Sequence, residues 1–169
     1  TRIAEELGLP LGEIELALEC IDQAVSEYRY LGKNRDNARF TKNMIISLMN
    51  CSVMQDNYGR QSEALQSMQE ALDACEDLLI IDKSDENWNQ MGFIQLNLGM
   101  AMYRRNRNTE ALDAFTQAYH IYQMLIERQD AYDIAACYAQ SHLYRAMILR
   151  RLRLIDQAEI ALEAGCAFI

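Results

Sequence analysis

The chain has 169 residues, half of them apolar and 24% charged, and 25 acidic against 16 basic side chains leave a formal charge of −9. That length supports one or two domains with a sizeable core, and the composition argues against disorder. An acidic balance disfavours nucleic acid or an anionic membrane as a direct partner, since both attract a cationic face.

One proline and seven glycines leave little turn material, so long uninterrupted elements are expected. The hydrophobic periodicity predicts a helix to about residue 8, then helices over roughly 12–31, 36–57, 61–81, 85–105, 108–128, 131–152 and 155–169. Polar breaks separate them at Gly32-Lys33-Asn34, Asn57-Tyr58-Gly59-Arg60, Ile81-Asp82-Lys83-Ser84, Asn106-Arg107-Asn108-Thr109 and Arg128-Gln129-Asp130. Gly59 supplies the left-handed conformation that ends a helix. Asn108 or Thr109 is expected to cap the following helix, with Glu110 in its first turn where a carboxylate suits the dipole. No strand-like alternation occurs. No apolar run approaches the ~18–20 residues of a membrane span, and Thr1-Arg2-Ile3-Ala4-Glu5-Glu6 is no signal peptide. The five cysteines (Cys20, Cys51, Cys75, Cys137, Cys166) are scattered, odd in number and never in a C-x-x-C pair. They read as small buried hydrophobes in a reducing compartment, so a cytoplasmic location is expected.

A repeat organises the chain. Ala17-Leu18-x-x-Ile21-x-x-Ala24, Ala64-Leu65-x-x-Met68-x-x-Ala71, Ala111-Leu112-x-x-Phe115-x-x-Ala118 and Ala158-x-x-x-Leu162-x-x-Gly165 align, and their first alanines are each 47 residues apart. Spacings of four and then three put the small–large–small residues on one helix face. A small residue there lets a neighbouring helix approach closely, and the large one fills the gap beside it. Each such helix is preceded by a second amphipathic one.

Leu98-Gly99, Met102, Ala111, Phe115 and Ala118 stand at the spacing of the tetratricopeptide repeat (TPR), a helix–turn–helix unit, and the chain resembles that family over essentially its full length. Cys51-Ser52 and Arg145-Ala146 replace Leu-Gly in other units, and the 47-residue period exceeds the family's usual ~34, which fits helices lengthened to about six turns. The resemblance implies an all-α fold, a right-handed solenoid of antiparallel helix pairs, as a single array over 1–169. Its units are a truncated first repeat at 1–32 and further repeats at 36–81, 85–128 and 131–169. The apolar end Glu163-Ala164-Gly165-Cys166-Ala167-Phe168-Ile169 carries no polar cap, so the chain is expected to be part of a larger protein, or to form a homo-oligomer through this end.

Enzymatic signatures are absent: no phosphate loop, H-E-x-x-H, G-x-S-x-G or calcium loop. His120 and His142 lie in different repeats without ligand spacing, and the acidic pairs Glu5-Glu6, Glu76-Asp77 and Asp85-Glu86 read as solvated faces. No catalytic residue, metal or cofactor is therefore expected. In the resemblance, the first helix of each pair lines a concave face that receives a peptide or helix of a partner protein. One groove position is then Asn50, Asn97 and Tyr144; Asn50 and Asn97 either hold a peptide backbone as an asparagine ladder or are simply solvated. Tyr103 and Tyr144 are aromatic anchors or part of the interhelical core.

Residues 101–169 carry 8 basic and 8 acidic side chains, against 8 and 17 in residues 1–100. Arg104, Arg105, Arg107, Arg145, Arg150, Arg151 and Arg153 fall on equivalent turns, stacked about 10 Å apart. They form either a basic ridge for a carboxylate, with Arg104, Arg150 and Arg151 as contacts, or a balance against Glu110, Asp113 and Asp156. The expected function is a non-enzymatic protein-interaction module. The alternative is a sensory or regulatory TPR domain of a larger bacterial signalling or transcription-regulator protein that responds to a peptide or small ligand.

Overall fold

The computed structural model describes residues 11–35, 38–128 and 132–167, and all regular structure among them is helical. Seven helices follow in order: α1 Leu11–Arg35, α2 Ala38–Asn57, α3 Gln61–Ile81, α4 Asp85–Arg104, α5 Asn108–Arg128, α6 Tyr132–Arg151 and α7 Ile155–Cys166. The helix expected before residue 9, the connection at Gln129-Asp130 and the last two residues lie outside the described residues. Gly32-Lys33-Asn34 is not a break, for α1 continues to Arg35. One glycine costs a helix only about 1 kcal/mol, which a 25-residue helix absorbs.

The chain divides into two compact units, Thr1–Ile81 and Asp82–Ile169. In each, consecutive helices pack as antiparallel pairs: α1 on α2 and α2 on α3 in the first, α4 on α5, α5 on α6 and α6 on α7 in the second. This all-α stacking of hairpins in sequence order is the local architecture of an α-solenoid.

The 47-residue period is written into the backbone. Among the described residues, Gly59, Asn106 and Arg153, each 47 positions from the last, are those with positive φ, at 78°, 59° and 63°. Around each, two hydrogen bonds close a Schellman turn. Gly59 N–H donates to the Asp56 carbonyl at 3.1 Å and Arg60 N–H to Gln55 at 2.8 Å; the pair recurs as Asn106 to Tyr103 and Arg107 to Met102, then Arg153 to Arg150 and Leu154 to Leu149. The marker alanines follow at once: the N–H groups of Ala64, Ala111 and Ala158 donate to Arg60, Arg107 and Leu154 at 2.9–3.0 Å, and all three are buried. Ala17 differs, being only half-buried; Leu18 and Val25 carry the burial of α1 instead.

Neither Asn108 nor Thr109 is the cap of α5. The Arg107 carbonyl accepts the first helical bond, and the Arg107 side chain donates to Glu110, Nε to Oε1 at 2.8 Å. Arg60 and Glu63 repeat the pairing one period earlier at 3.6 Å. The far end of the α4–α5 hairpin is tied by Arg128 Nη1 to Asp85 at 3.0 Å.

Arginine at φ 63° occupies a conformation that disfavours any side chain with a Cβ. Arg153→Gly is therefore expected to stabilise the chain by about 0.5–1 kcal/mol, the relief of strain exceeding the added freedom of the unfolded backbone. A lower urea midpoint for Arg153→Gly than for wild type would contradict this.

The core of the second unit joins Leu96 of α4, Phe115, Ala118, Tyr122 and Leu125 of α5, and Ile134, Tyr138 and Ile148 of α6. Phe115 and Tyr122 lie two turns apart on α5, opposite Gly99 and Gly92 two turns apart on α4. A Cβ at Gly99 would stand 2.5 Å from the Phe115 ring, and one at Gly92 would stand 2.7 Å from the Tyr122 ring. The glycines are a notch for an aromatic ridge. In the first unit Ile45, Leu48, Met68, Ala71, Cys75 and Leu78 are buried, and Leu18 and Cys51 pack with Ile21, Met54 and Tyr58; the exposed pair Arg29–Glu70, two bonds of 2.6 Å, adds about 0–1 kcal/mol in solvent.

Candidate functional site

A concavity of the second unit lies between α6 and α7. Its walls are Leu143, Tyr144, Ala146, Met147 and Arg150 of α6, and Ile155, Ala158, Glu159 and Leu162 of α7, around a volume of about 750 Å³. Alternation along each helix builds it. The two helices meet through Ala146, Leu149, Ala158 and Ala161; the small side chains of the three alanines let them close, and Ala146 and Ala158 also form the bottom of the concavity between the larger neighbours. Leu143 is 46% exposed and Leu162 43%. An apolar floor with one cation and one anion at its rim is what a groove for an apolar anchor needs.

Beside it, on the α5 side of α6, lies an aromatic cluster. Tyr119 and Tyr138 stack at 5.5 Å, His142 meets each edge-on at 4.8 and 4.7 Å, and the Arg145 guanidinium sits 4.5 Å above the Tyr119 ring. His120, on the exposed face of α5, also touches Tyr119. The two histidines that the sequence separates thus share one tyrosine. Burial and then the neighbouring Arg145 hold the His142 imidazole below its ordinary range, so it is neutral at pH 7, although the Ala161 backbone on α7 favours its protonation. Burial, then the Tyr119 hydroxyl, pushes Tyr138 up to about 12.

A histidine with a lowered folded-state pKa binds fewer protons folded than unfolded between those two values. Its contribution is intact above about pH 6.5, the unfolded value, and is lost as pH falls toward the folded one. Wild type is accordingly expected to lose Tm relative to His142→Leu between pH 7.5 and 5.5. Parallel melting curves at the two pH values would remove the effect.

The sequence-predicted contacts fall as follows. Asn50 is exposed on α2 in the first unit. Asn97 turns back on its own helix, its Nδ2 donating to the Phe93 carbonyl at 2.9 Å. Tyr103 packs at the edge of the core and is covered by Arg151, whose guanidinium lies 4.8 Å from the ring centroid and whose Nη2 also donates to Asn106. Tyr144 rests on Phe115 at 5.0 Å, with its hydroxyl accepting from Gln140 and one side in the α6–α7 groove. Arg104 is exposed at the end of α4, and Arg150 stands at the groove rim.

Three of the seven arginines have partners within the unit. Arg145 is over Tyr119, Arg105 donates to its own Ala101 carbonyl and Arg107 is paired with Glu110. Leu143, Met147, Ile155 and Leu162 were not among the predicted contacts, because in sequence they share the register of core residues.

Among the described residues no group of three or more His, Cys, Asp or Glu side chains could hold a metal ion, and no helix is long and apolar enough to cross a membrane. No disulfide forms among the five cysteines. Cys51 and Cys75 are buried as expected, whereas Cys20 and Cys166 are exposed, a correction to the reading of all five as core residues. Burial, then Asp22 accepting from the Cys51 thiol at 3.4 Å, pushes Cys51 up to about 11; burial and then Glu76 do the same for Cys75. Both remain protonated at neutral pH, the unreactive form.

No family model matches the chain, and no curated protein matches it. Among solved structures it is similar to BtubC (BKLC) from P. vanneervenii, at 12% identity over 92% of this chain and 90% of that one with a TM-score of 0.36. It is also similar to MamA, at 14% identity over 95% of each chain with a TM-score of 0.30. Likenesses this distant carry no function onto the chain.

Proposed function

We propose that this chain is a non-enzymatic protein-interaction module, a TPR-like helical array that holds a segment of another protein. What supports the reading is the open apolar groove between α6 and α7, with Tyr144 and Arg150 in its wall and Leu143 and Leu162 as its exposed floor. Large apolar side chains left beside a charged rim are the composition of recognition surfaces. Tyr103 with Arg151, Arg104 and Asn97 extend the proposed surface on the second unit, and Asn50 marks the corresponding position on the first.

The test is selection of a random peptide library displayed on phage against the immobilised chain. Enriched peptides should carry an apolar anchor and lose about 10-fold or more of their affinity to Leu143→Asp/Leu162→Asp, since each removes a buried apolar contact worth more than 1 kcal/mol. Arg104→Glu/Arg150→Glu should weaken acidic ligands selectively. A library that yields no binder, or binders indifferent to both pairs of substitutions, would overturn the proposal.

A further inference from the structure

We infer that the cleft among α1, α2 and α3 of the first unit is a second binding site, which takes an arginine side chain from an extended segment of a partner protein. It is independent of the α6–α7 groove, and either site can fail without the other. The cleft has a volume of about 320 Å³. Its floor is Val25 of α1 with Leu48, Cys51 and Gln55 of α2, each no more than 5% exposed.

The second unit shows what fills the equivalent place. Two periods on, Val25, Leu48 and Cys51 become Tyr119, His142 and Arg145, the cluster in which the guanidinium lies 4.5 Å over the Tyr119 ring. In the first unit none of these positions carries a ring or a guanidinium, and the space stays open. Charge changes in the opposite sense. The walls of the cleft carry Asp22, Glu63 and Glu70, where the second unit has the neutral Thr116, Gln157 and Ala164. One unit thus sets a cation of its own among neutral residues, and the other sets acidic walls around a floor without a cation.

Arg29, on the α1 wall, does not supply that cation, because its Nε and Nη2 both donate to Glu70, at 2.6 Å each. Asp22 and Glu63 remain. Asp22 accepts at 3.4 Å from the Cys51 thiol, a weak donor, and Glu63 is held loosely by Arg60 at 3.6 Å. Carboxylates on facing walls suit the fork of a guanidinium, and an arginine stem can lie along Val25 and Leu48. Gln55 asks for the rest of the ligand. Ser67 donates to its Oε1 at 2.9 Å, and among the described residues nothing accepts from its Nε2. A nearly buried amide donor is costly to leave unpaired, and a peptide carbonyl beside the arginine would accept from it. The 17 acidic against 8 basic side chains of residues 1–100 favour the approach of such a basic segment.

Three probes test this, each titrated into the full chain and followed by two-dimensional amide NMR spectra. They are the capped peptide Gly-Ser-Arg-Ser-Gly, the same peptide with citrulline for arginine, which keeps the shape without the charge, and agmatine, which keeps the guanidinium without a carbonyl. The arginine peptide should shift the amides of Cys51, Gln55 and Ser67 saturably. It should bind about 10-fold more tightly than the citrulline peptide, the scale of one charge-assisted contact, and about 3-fold more tightly than agmatine, the scale of one neutral hydrogen bond. Asp22→Asn/Glu63→Gln, both at exposed positions, should remove the advantage over citrulline, and Gln55→Leu the advantage over agmatine. Leu143→Asp/Leu162→Asp should change neither.

Equal affinity of the arginine and citrulline peptides, or a preference that Asp22→Asn/Glu63→Gln leaves unchanged, overturns the inference. So does agmatine binding as tightly as the peptide, which would assign the cleft to a free cation. A concentration-dependent dimer in sedimentation that Asp22→Asn/Glu63→Gln dissolves would assign it to a second copy of the chain and overturn the inference too. Absence of any shift at Cys51, Gln55 and Ser67 removes this site and leaves the reading of the α6–α7 groove to its own test.

Discussion

Phe115→Ala is expected to lower the stability of the second unit by about 3–5 kcal/mol, a large part of what a domain of this size possesses. The ring is fully buried, presses into the notch at Gly99 and supports Tyr144 at 5.0 Å on its other side. Removing it leaves a cavity bounded by three helices, none of which can collapse inward without disturbing the others. Gly99→Ala is the sharper experiment. In wild type the new Cβ would stand 2.5 Å from the ring, and a ring enclosed by the core has nowhere to turn, so overpacking should cost about 1–3 kcal/mol.

In the Phe115→Ala background that clash is gone. The methyl group then occupies part of the cavity, and alanine exceeds glycine in helix propensity by about 1 kcal/mol. The sign of Gly99→Ala should therefore reverse between the two backgrounds. Trp88, the single tryptophan, packs against this core, so urea titration followed by its fluorescence reads the second unit. A Gly99→Ala penalty of equal size in both backgrounds would mean that the notch does not act through the ring.

The alanine register was readable because it is a packing requirement that repeats. Ala64, Ala111 and Ala158 each begin a helix from the same turn, and small residues at that point admit the neighbouring helix. The turns themselves were only half readable. Gly59 and Asn106 are residue types that take the left-handed conformation readily, while Arg153 adopts it without any such preference, within the same pair of Schellman bonds. Ala17 carries the motif but not the burial.

The site was less legible than the fold, for a reason that periodicity cannot remove. A helical period tells which residues share a face but not what covers that face. Leu96 and Leu143 are indistinguishable in pattern, yet one is core and the other groove floor. Tyr103 and Arg151, both read as contacts for a partner, lie against each other, and Asn97 returns to its own backbone. These are choices made between side chains far apart in sequence. His142 illustrates the same point: its company of Tyr119, Tyr138 and Arg145 exists only once α5 and α6 have met.

Gly165→Val should have the second large effect, and a different kind of effect. A Cβ at Gly165 would lie 2.9 Å from the Cβ of His142 and 3.4 Å from the Ala139 carbonyl oxygen. Both atoms belong to or adjoin the backbone of α6, so no change of rotamer relieves the contact. Since valine adds two more carbons at the same place, α7 must lift from α6, at a cost of about 3 kcal/mol. One period earlier the position is Ala118, where a methyl group is accommodated; the closer approach at Gly165 is what brings α7 over the imidazole.

Because α7 packs on α6 alone among its larger contacts, the loss should be local. Amide exchange over α7 should accelerate while Trp88 fluorescence reports a nearly unchanged core. The His142 resonance should titrate closer to the ordinary imidazole value of about 6.5 as its burial is relieved. Binding of any groove ligand should fall with it, since Ile155, Ala158 and Leu162 would no longer face Leu143 and Met147. Gly165→Ala should show the same three changes at smaller amplitude. Unaltered exchange in α7, with His142 still titrating low in Gly165→Val, would show that the helices tolerate the extra carbons and that the glycine does not set their distance.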